Sequence, residues 1–381
     1  MSAEPDRDIE CREKIVDQSD LPAPEISSRE PKADAGEPAS PLIHIPLYCA
    51  HDASDHGVRY LIELHLACLD SYFAYENRYD LLVTTNDERP LEILSAYKKR
   101  SRHRFELRFV SRNDLLSAFC TDESRLMDIP CMTTIFSKFY PILNRECDAI
   151  VHVDFDTMFV SKVDLRPLLA SDVGLVDANQ FDRDKGFWCP TERQADFFRI
   201  GQPVEPVSSW INSGVFSVQR RGFEICRNEI GYYLENLERA IADGLNTMTD
   251  EIIMNALAVR ERDAVTVTPD YRYNFLAYYL KHDPSWTWRG QIVHFHSLKP
   301  YAFYFDGIVK HRCDFEPELL SPDLYLAVLM WCRHLHAACH QLAYDFPMVE
   351  AMPLEVVERE LALLVMVRDA GTALAESFRS L

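Results

Sequence analysis

The sequence lacks long apolar runs and an excess of basic residues. No apolar stretch reaches the roughly 20 residues that a membrane-spanning helix needs, since the longest candidate, residues 324–344, is interrupted by Arg333 and several histidines. Lysine and arginine number 40 against 60 acidic residues, which gives a net charge of −20. Because a phosphate backbone is bound by cationic side chains, this balance argues against a nucleic-acid partner. An anionic ligand would also be hard to hold without a metal ion.

The sequence also lacks the patterns of a secreted or zinc-binding protein. Its eleven cysteines are scattered and include no C-x-x-C pair, which is typical of reduced, buried thiols. The first residues, MSAEPDRDIECREK, have neither the basic start nor the apolar segment of a secretory signal. We therefore expect a soluble, cytoplasmic protein.

Composition divides the chain into three parts. Residues 1–41 carry eleven acids, five bases, six prolines and no aromatic residue, so they are predicted to form a disordered acidic tail. With 47% hydrophobic residues over 381 positions, the chain can bury a full-sized core. We expect an α/β domain over 42–315 and an α-helical C-terminal appendage over 316–381.

The α/β domain shows apolar strands alternating with helices. Residues 42–52, 79–87 and 149–156 read as strands, and 59–79 has apolar residues at helical spacing. Near-continuous apolar strands predict a mostly parallel, Rossmann-like sheet that is flanked by helices on both faces. Ligands of such sheets gather at the carboxyl ends of the strands.

Two acids stand at one such carboxyl end. Asp154 and Asp156 follow the apolar run of CDAIVHV, and strand alternation would direct both side chains to one face. Two like charges side by side repel unless a cation lies between them. The pair is therefore either a solvated strand end or half of a metal site.

Three further motifs follow the D-x-D motif in a fixed order. They are INSGVF at 211–216, TDEIIMNAL at 249–257 and VHFHSLKPY at 293–301. In this order the four motifs resemble those of GT-A glycosyltransferases, most closely the retaining family-8 type, and the resemblance covers about 42 to 310. It implies that 42–315 is a catalytic domain that transfers a sugar from a nucleoside-diphosphate sugar, with a UDP-sugar expected, to a glycan, protein or small-molecule acceptor.

The resemblance implies a metal site formed by Asp154, Asp156 and His294. A hard divalent cation bridges carboxylates and phosphate oxygens and acts as a Lewis acid on the leaving diphosphate. We expect Mn²⁺ or Mg²⁺, and an imidazole ligand suits Mn²⁺ better.

The resemblance and the strand ends together give a set of donor-binding residues. Lys138 stands where relatives carry an arginine, and Lys299 matches the family's K-P-W ending, here K-P-Y. Gly214 is expected to leave room for the ligand. The predicted donor contacts are Tyr48, Ala50, His51, Asn86, Lys138, Asp154, Asn212, Ser213 and Lys299.

Asp250 and Glu251 are the predicted catalytic residues. By resemblance, Asp250 matches an acid that holds a sugar hydroxyl, and Glu251 stands where the family usually has glutamine, at the reactive face of the donor carbon. A carboxylate there could act as a nucleophile or stabilise a cationic centre. It could equally be a first-turn acid favoured by the helix dipole.

Two other functions stay open. A non-catalytic scaffold of the same fold that binds nucleotide sugars or carbohydrates stays open, because Lys138 and Glu251 both depart from the family's pattern. A haloacid-dehalogenase phosphatase also places D-x-D after an apolar strand, but its motif continues with Thr or Val where this chain has Met158. A homo-oligomer is also left open by the sequence.

Overall fold

The computed structural model describes most of the chain from residue 40 onward. The described residues are 40–49, 54–75, 77, 79–101, 103–118, 132–143, 147–177, 191–200, 211–245, 249–268, 270–277, 291–295, 322–340, 342, 344 and 346–379. Ala39–Leu381 form one compact unit. The predicted tail lies outside the described residues except for positions 40 and 41, and the three-part division of the chain stays a prediction.

The helices and strands follow each other in alternation through the first half of the described chain. The strands are β1 Leu42–Leu47, β2 Asp80–Thr85, β3 Glu106–Phe109, β4 Ala149–Val153, β5 Thr157–Phe159, β6 Val173–Asp177, β7 Ile211–Gln219, β8 Val265–Thr268, β9 Phe275–Leu276 and β10 Ile292–His294. The α-helices are α1 Asp55–Ala74, α2 Glu88–Ser101, α3 Arg112–Ala118, α4 Met132–Leu143, α5 Glu192–Phe197, α6 Arg220–Glu235, α7 Leu237–Ala242, α8 Thr249–Arg260, α9 Pro322–His340, α10 Pro347–Ala351 and α11 Leu354–Arg379. Short 3₁₀ turns lie at Arg166–Leu169 and Tyr271–Tyr273.

The strands form a large sheet and a small one. The seven-stranded sheet has the order β3-β2-β1-β4-β7-β6-β8, and the three-stranded sheet has the order β5-β10-β9. In the large sheet β7 runs antiparallel to both neighbours, while the other pairs are parallel. The predicted α/β fold, a mostly parallel sheet flanked by helices, is confirmed.

Hydrophobic cores lie on both faces of the large sheet, because successive side chains of each apolar strand point to opposite faces. Val151 and Val153 of β4 contribute to one core, and Ile150, which precedes them, contributes to the other. The first core also contains residues of α1 and α9, and the second contains residues of α6 and α8. The described cysteines are free thiols, as the scattered spacing predicts. No helix within the described ranges combines the length and the apolar character needed to cross a bilayer.

The C-terminal helices pack onto the sheet domain through α1. Helix α9 lies against α1, and α11 lies against α9. Glu63 of α1 is buried at this contact, where one carboxyl oxygen accepts the Met348 backbone N–H at 3.2 Å. Burial raises the pKa of Glu63 to about 8, and the Met348 N–H and Arg59 only partly oppose this.

The raised pKa of Glu63 makes stability depend on pH. The folded protein holds this proton more tightly than the unfolded chain, so the contribution of Glu63 to stability falls as pH rises from about 4.5 through about 8. Glu63→Gln keeps an acceptor for Met348 and removes the buried charge. We expect the free energy of unfolding at pH 9 to rise by up to about 5 kcal/mol, since the pKa rises from 4.5 to about 8 and each pKa unit is worth about 1.4 kcal/mol.

Urea unfolding of both proteins from pH 4.5 to pH 9 measures this effect. The difference between variant and wild type should shrink toward zero at the acid end. Glu92→Gln, at an exposed position on α2, is the control and should change little across the range. A Glu63→Gln variant that is less stable than wild type at pH 9 would contradict the expectation.

Candidate functional site

The D-x-D motif lies where the two sheets meet. Strand β4 ends at Val153, and the chain turns through 154–156 into β5, which pairs with β10 of the small sheet. The Asp154 backbone N–H donates to the Gly214 carbonyl at 2.8 Å, and the Thr157 hydroxyl donates to the Asp154 carbonyl at 2.9 Å. The two acids are therefore brought together by a hydrogen-bonded turn after the strand, and not by strand alternation.

His294 lies beside both acids. It is the last residue of β10 and is paired with Thr157 of β5, which brings its ring to the D-x-D turn. Its Nε2 is 3.7 Å from Asp154 Oδ2 and 3.3 Å from Asp156 Oδ1. One ligand atom from each residue lies within 4.8 Å of the others. Two carboxylates and an imidazole fit a divalent cation such as Mn²⁺, so the donor set suits the expected metal.

Lys138 of α4 is the cation nearest to this group among the described contacts. Its side chain is buried, with Nζ 3.1 Å from the Asp154 carboxylate, 2.7 Å from Asp250 Oδ2 and 3.0 Å from Ser213 Oγ. Burial alone would lower the pKa of Lys138, but the carboxylates of Asp154 and Asp250 raise it above its usual value. The ammonium therefore stays charged within the site.

Asp154 is held from two sides. Burial would raise its pKa, but Lys138 and the His152 hydrogen bond hold that pKa well below its usual range. His152 Nε2 lies 2.8 Å from Asp154 Oδ1, and its ring stacks on Phe216 of β7 with centroids 4.7 Å apart. His152 is not among the residues predicted from the sequence, although its position on β4, two residues before Asp154, is a signal that could have indicated it.

The start of α8 brings Asp250 and Glu251 to β7. The Ser213 hydroxyl donates to Asp250 Oδ2 at 2.6 Å, and Asn212 Nδ2 donates to Glu251 Oε1 at 2.6 Å. Asn255, one turn further along α8, fixes the helix by bonding both the N–H and the C=O of Ile211. Two polar residues of the INSGVF motif therefore each face one of the predicted catalytic acids: Asn212 faces Glu251, and Ser213 faces Asp250.

Gly214 makes room for a side chain of the protein itself. A Cβ on Gly214 would lie 2.3 Å from the His294 ring and 2.8 Å from Asn212 Oδ1. That Gly214 leaves space for a ligand stays a prediction. The glycine allows β7 to approach the imidazole of His294 closely.

The remaining donor-binding predictions divide into two groups. Tyr48 is buried in the second core, and the side-chain amide of Asn86 bonds the backbone N–H and C=O of Cys49 at 2.9 Å each. Those contacts tie the end of β1 to the end of β2, and a donor-binding role for either residue stays a prediction. Ala50, His51 and Lys299 lie outside the described residues.

No family model matches the sequence, and no curated protein matches it. Solved structures with a similar fold include the galactosyltransferase LgtC in complex with donor and acceptor sugar analogs, at 12% identity over 81% of this chain and 99% of that one, with a TM-score of 0.46. Mouse xyloside xylosyltransferase 1 matches at 11% identity over 68% and 99%, with a TM-score of 0.45. The bifunctional glycosyltransferase WbbM matches at 16% identity over 76% of this chain and 52% of its own, with a TM-score of 0.46. All three of these neighbours are glycosyltransferases by name.

The close contact between Gly214 and His294 predicts the effect of adding one methyl group. Gly214→Ala should lower the free energy of unfolding by about 1–3 kcal/mol, because the new Cβ would overlap a buried ring. Removing that ring in a His294→Ala background should make the same substitution much less costly. Chemical unfolding of the two single variants and the double variant measures the coupling.

Gly231 on α6 supplies the matched control. A Cβ added there meets nothing within 4 Å, so Gly231→Ala should leave stability unchanged or raise it slightly. Equal stability of Gly214→Ala and wild type would show that β7 and His294 are further apart than described here.

Proposed function

We propose that this chain is a metal-dependent glycosyltransferase that moves a sugar from a nucleoside-diphosphate sugar to an acceptor. One observation carries the proposal: Asp154, Asp156 and His294 converge at the carboxyl end of a central strand, beside the buried ammonium group of Lys138. The carboxyl edge of an α/β sheet is where ligands of such folds bind. A chain with a net charge of −20 needs a cation to hold a diphosphate at such a place.

Asp154, Asp156 and His294 would hold the metal ion. Their ligand atoms are all acceptors when the neutral imidazole carries its proton on Nδ1, and acceptors that face one another are stabilised by a cation between them. Bound Mn²⁺ or Mg²⁺ would supply Lewis-acid stabilisation of the charge on the departing diphosphate. The imidazole favours Mn²⁺ of the two.

The side chains around Lys138 would bind the sugar. Asp250 and Ser213 share the ammonium group of Lys138, so their oxygens keep fixed positions next to the metal group, which is the set Asp154, Asp156 and His294. We assign the sugar hydroxyls to Asp250, Ser213 and Asn212. Glu251, next along α8, would face the reacting carbon. A UDP-sugar donor and retention of configuration rest on the order of the four sequence motifs.

A non-catalytic binding protein of the same fold is the second candidate. One observation favours it: the Glu251 side chain is buried and accepts a hydrogen bond from Asn212, a structural use of the acid. Hydrolysis of UDP-sugars in the presence of Mn²⁺ separates the two candidates, since a binding protein would not hydrolyse them.

The metal group predicts that donor binding depends on Mn²⁺ and on Asp156. Asp156→Asn should weaken Mn²⁺-dependent UDP binding at least about tenfold, because one of three ligands loses its charge, and the protein should stay folded. Calorimetric titration of UDP with and without Mn²⁺, together with a melting curve for each protein, measures this. Asp148→Asn changes an exposed acid just before the start of the same strand and should bind UDP like wild type. The proposal fails if chelated wild type and Asp156→Asn both bind UDP as tightly as wild type does with Mn²⁺.

Glu251→Gln tests whether the carboxylate takes part in the reaction. The amide oxygen of glutamine can still accept from Asn212, so the fold and UDP affinity should be retained while turnover falls about a hundredfold or more. Initial rates of sugar release and UDP calorimetry on the same preparation separate the two effects. Turnover equal to wild type would make Glu251 a structural acid.

A further inference from the structure

A chain of buried side chains leads from Glu251 to the predicted metal ligand His294. Asn212 Nδ2 lies 2.6 Å from Glu251 Oε1, Asn274 Nδ2 lies 3.1 Å from Asn212 Oδ1, and His294 Nδ1 lies 3.1 Å from Asn274 Oδ1. All four side chains are buried. Asn274 follows the 3₁₀ turn Tyr271–Tyr273 and precedes β9, which pairs with β10, so local structure places its amide beside the ring of His294.

Backbone groups fix the orientation of both asparagine amides. The Gly214 N–H can only donate, and it lies 3.0 Å from Asn212 Oδ1, so that atom is the acceptor oxygen. The backbone carbonyl of Asn212 can only accept, and it lies 3.3 Å from Asn274 Nδ2, so that atom is the donor nitrogen. The Asn274 atom that faces His294 is therefore its oxygen.

The orientation of Asn274 decides which ring nitrogen of His294 carries the proton. An amide oxygen accepts hydrogen bonds, so Nδ1 of His294 must be the N–H that donates to it. A neutral imidazole has one N–H, which leaves the lone pair on Nε2. This is the nitrogen that lies 3.3 Å from Asp156 Oδ1 and 3.7 Å from Asp154 Oδ2.

We propose that Asn274 is a positioning residue that holds His294 in the Nδ1–H form and thereby makes Nε2 a metal ligand. The proposal rests on the metal site of the proposed function and adds Asn274 to it. By accepting from Nδ1, Asn274 turns Nε2 toward the two carboxylates, the place where it could bind a metal ion with them. Partners of this kind, which fix the ring of a ligating histidine, are typically worth ten- to a hundredfold in metal affinity.

Nitrogen NMR of the metal-free protein reads the proton position directly. The chain has thirteen histidines, so a sample labelled with ¹⁵N in histidine is compared with the same sample of His294→Gln to assign the ring signals. At a pH at which the ring is neutral, wild type should show a protonated Nδ1 and an unprotonated Nε2 on His294. An unprotonated Nδ1 in wild type would overturn the proposal without the need for any variant at Asn274.

Two substitutions at Asn274 and one control test its role in metal binding. Asn274→Leu removes the acceptor and should lower Mn²⁺ affinity ten- to a hundredfold in calorimetry. Asn274→Asp offers a carboxylate oxygen to the same N–H and should retain the Nδ1 proton and most of the affinity. Asn255→Leu removes another buried asparagine, one that ties β7 to α8, and should leave the His294 ring signals unchanged even though stability falls. Wild-type Mn²⁺ affinity in Asn274→Leu would overturn the assignment.

The outcome is distinguishable from failure of the proposed function. The ring signals are measured without metal or nucleotide, so a wrong tautomer would leave Mn²⁺-dependent UDP binding by wild type intact. If wild type showed no Mn²⁺-dependent UDP binding, the glycosyltransferase proposal would fail, while the tautomer read from the ring signals would be unaffected.

Discussion

The ammonium group of Lys138 is buried between two carboxylates, and the rest of the site depends on that compensation. Transfer of a charged group out of water costs several kcal/mol. Only close opposite charges and hydrogen bonds can offset this cost. Asp154 and Asp250 supply the charges, and Ser213 supplies the additional hydrogen bond. Because Asp154 also lies beside Asp156 and His294, the lysine joins that group of three to the acid at the start of α8.

The antiparallel strand β7 makes this compensation geometrically feasible. It lies between β4 and β6 in the large sheet and carries Asn212, Ser213 and Gly214 on consecutive positions next to the end of β4. Each of the three serves a different neighbour: Asn212 faces Glu251, Ser213 faces Asp250 and Lys138, and Gly214 admits the ring of His294. Contacts within the protein therefore account for Asn212, Ser213 and Gly214 of the INSGVF motif.

The sequence predicted those features that its residue types and their spacing express directly. Apolar runs predicted β1, β2 and β4. The order of the four motifs predicted that Asp154, Asp156 and His294 form one group, and the structure places these three residues together. Strands β5 and β9, with three and two residues, are too short for a periodic pattern to reveal. Asn274 lies twenty positions before His294, and only the pairing of β9 with β10 brings the two together, so no local signal indicated it.

The packing of α9 on α1 has a consequence for the order in which the protein folds. Cys68 of α1 touches the D-x-D turn, with its Sγ 3.4 Å from Thr157 Oγ1, while the opposite side of α1 is covered by a helix more than 250 positions later in the chain. Contacts between such distant segments require closure of a long loop and form late. During synthesis, the helix that lies against the D-x-D turn would therefore keep an uncovered apolar face until α9 has been made, although that helix and the turn both emerge in the first half of translation.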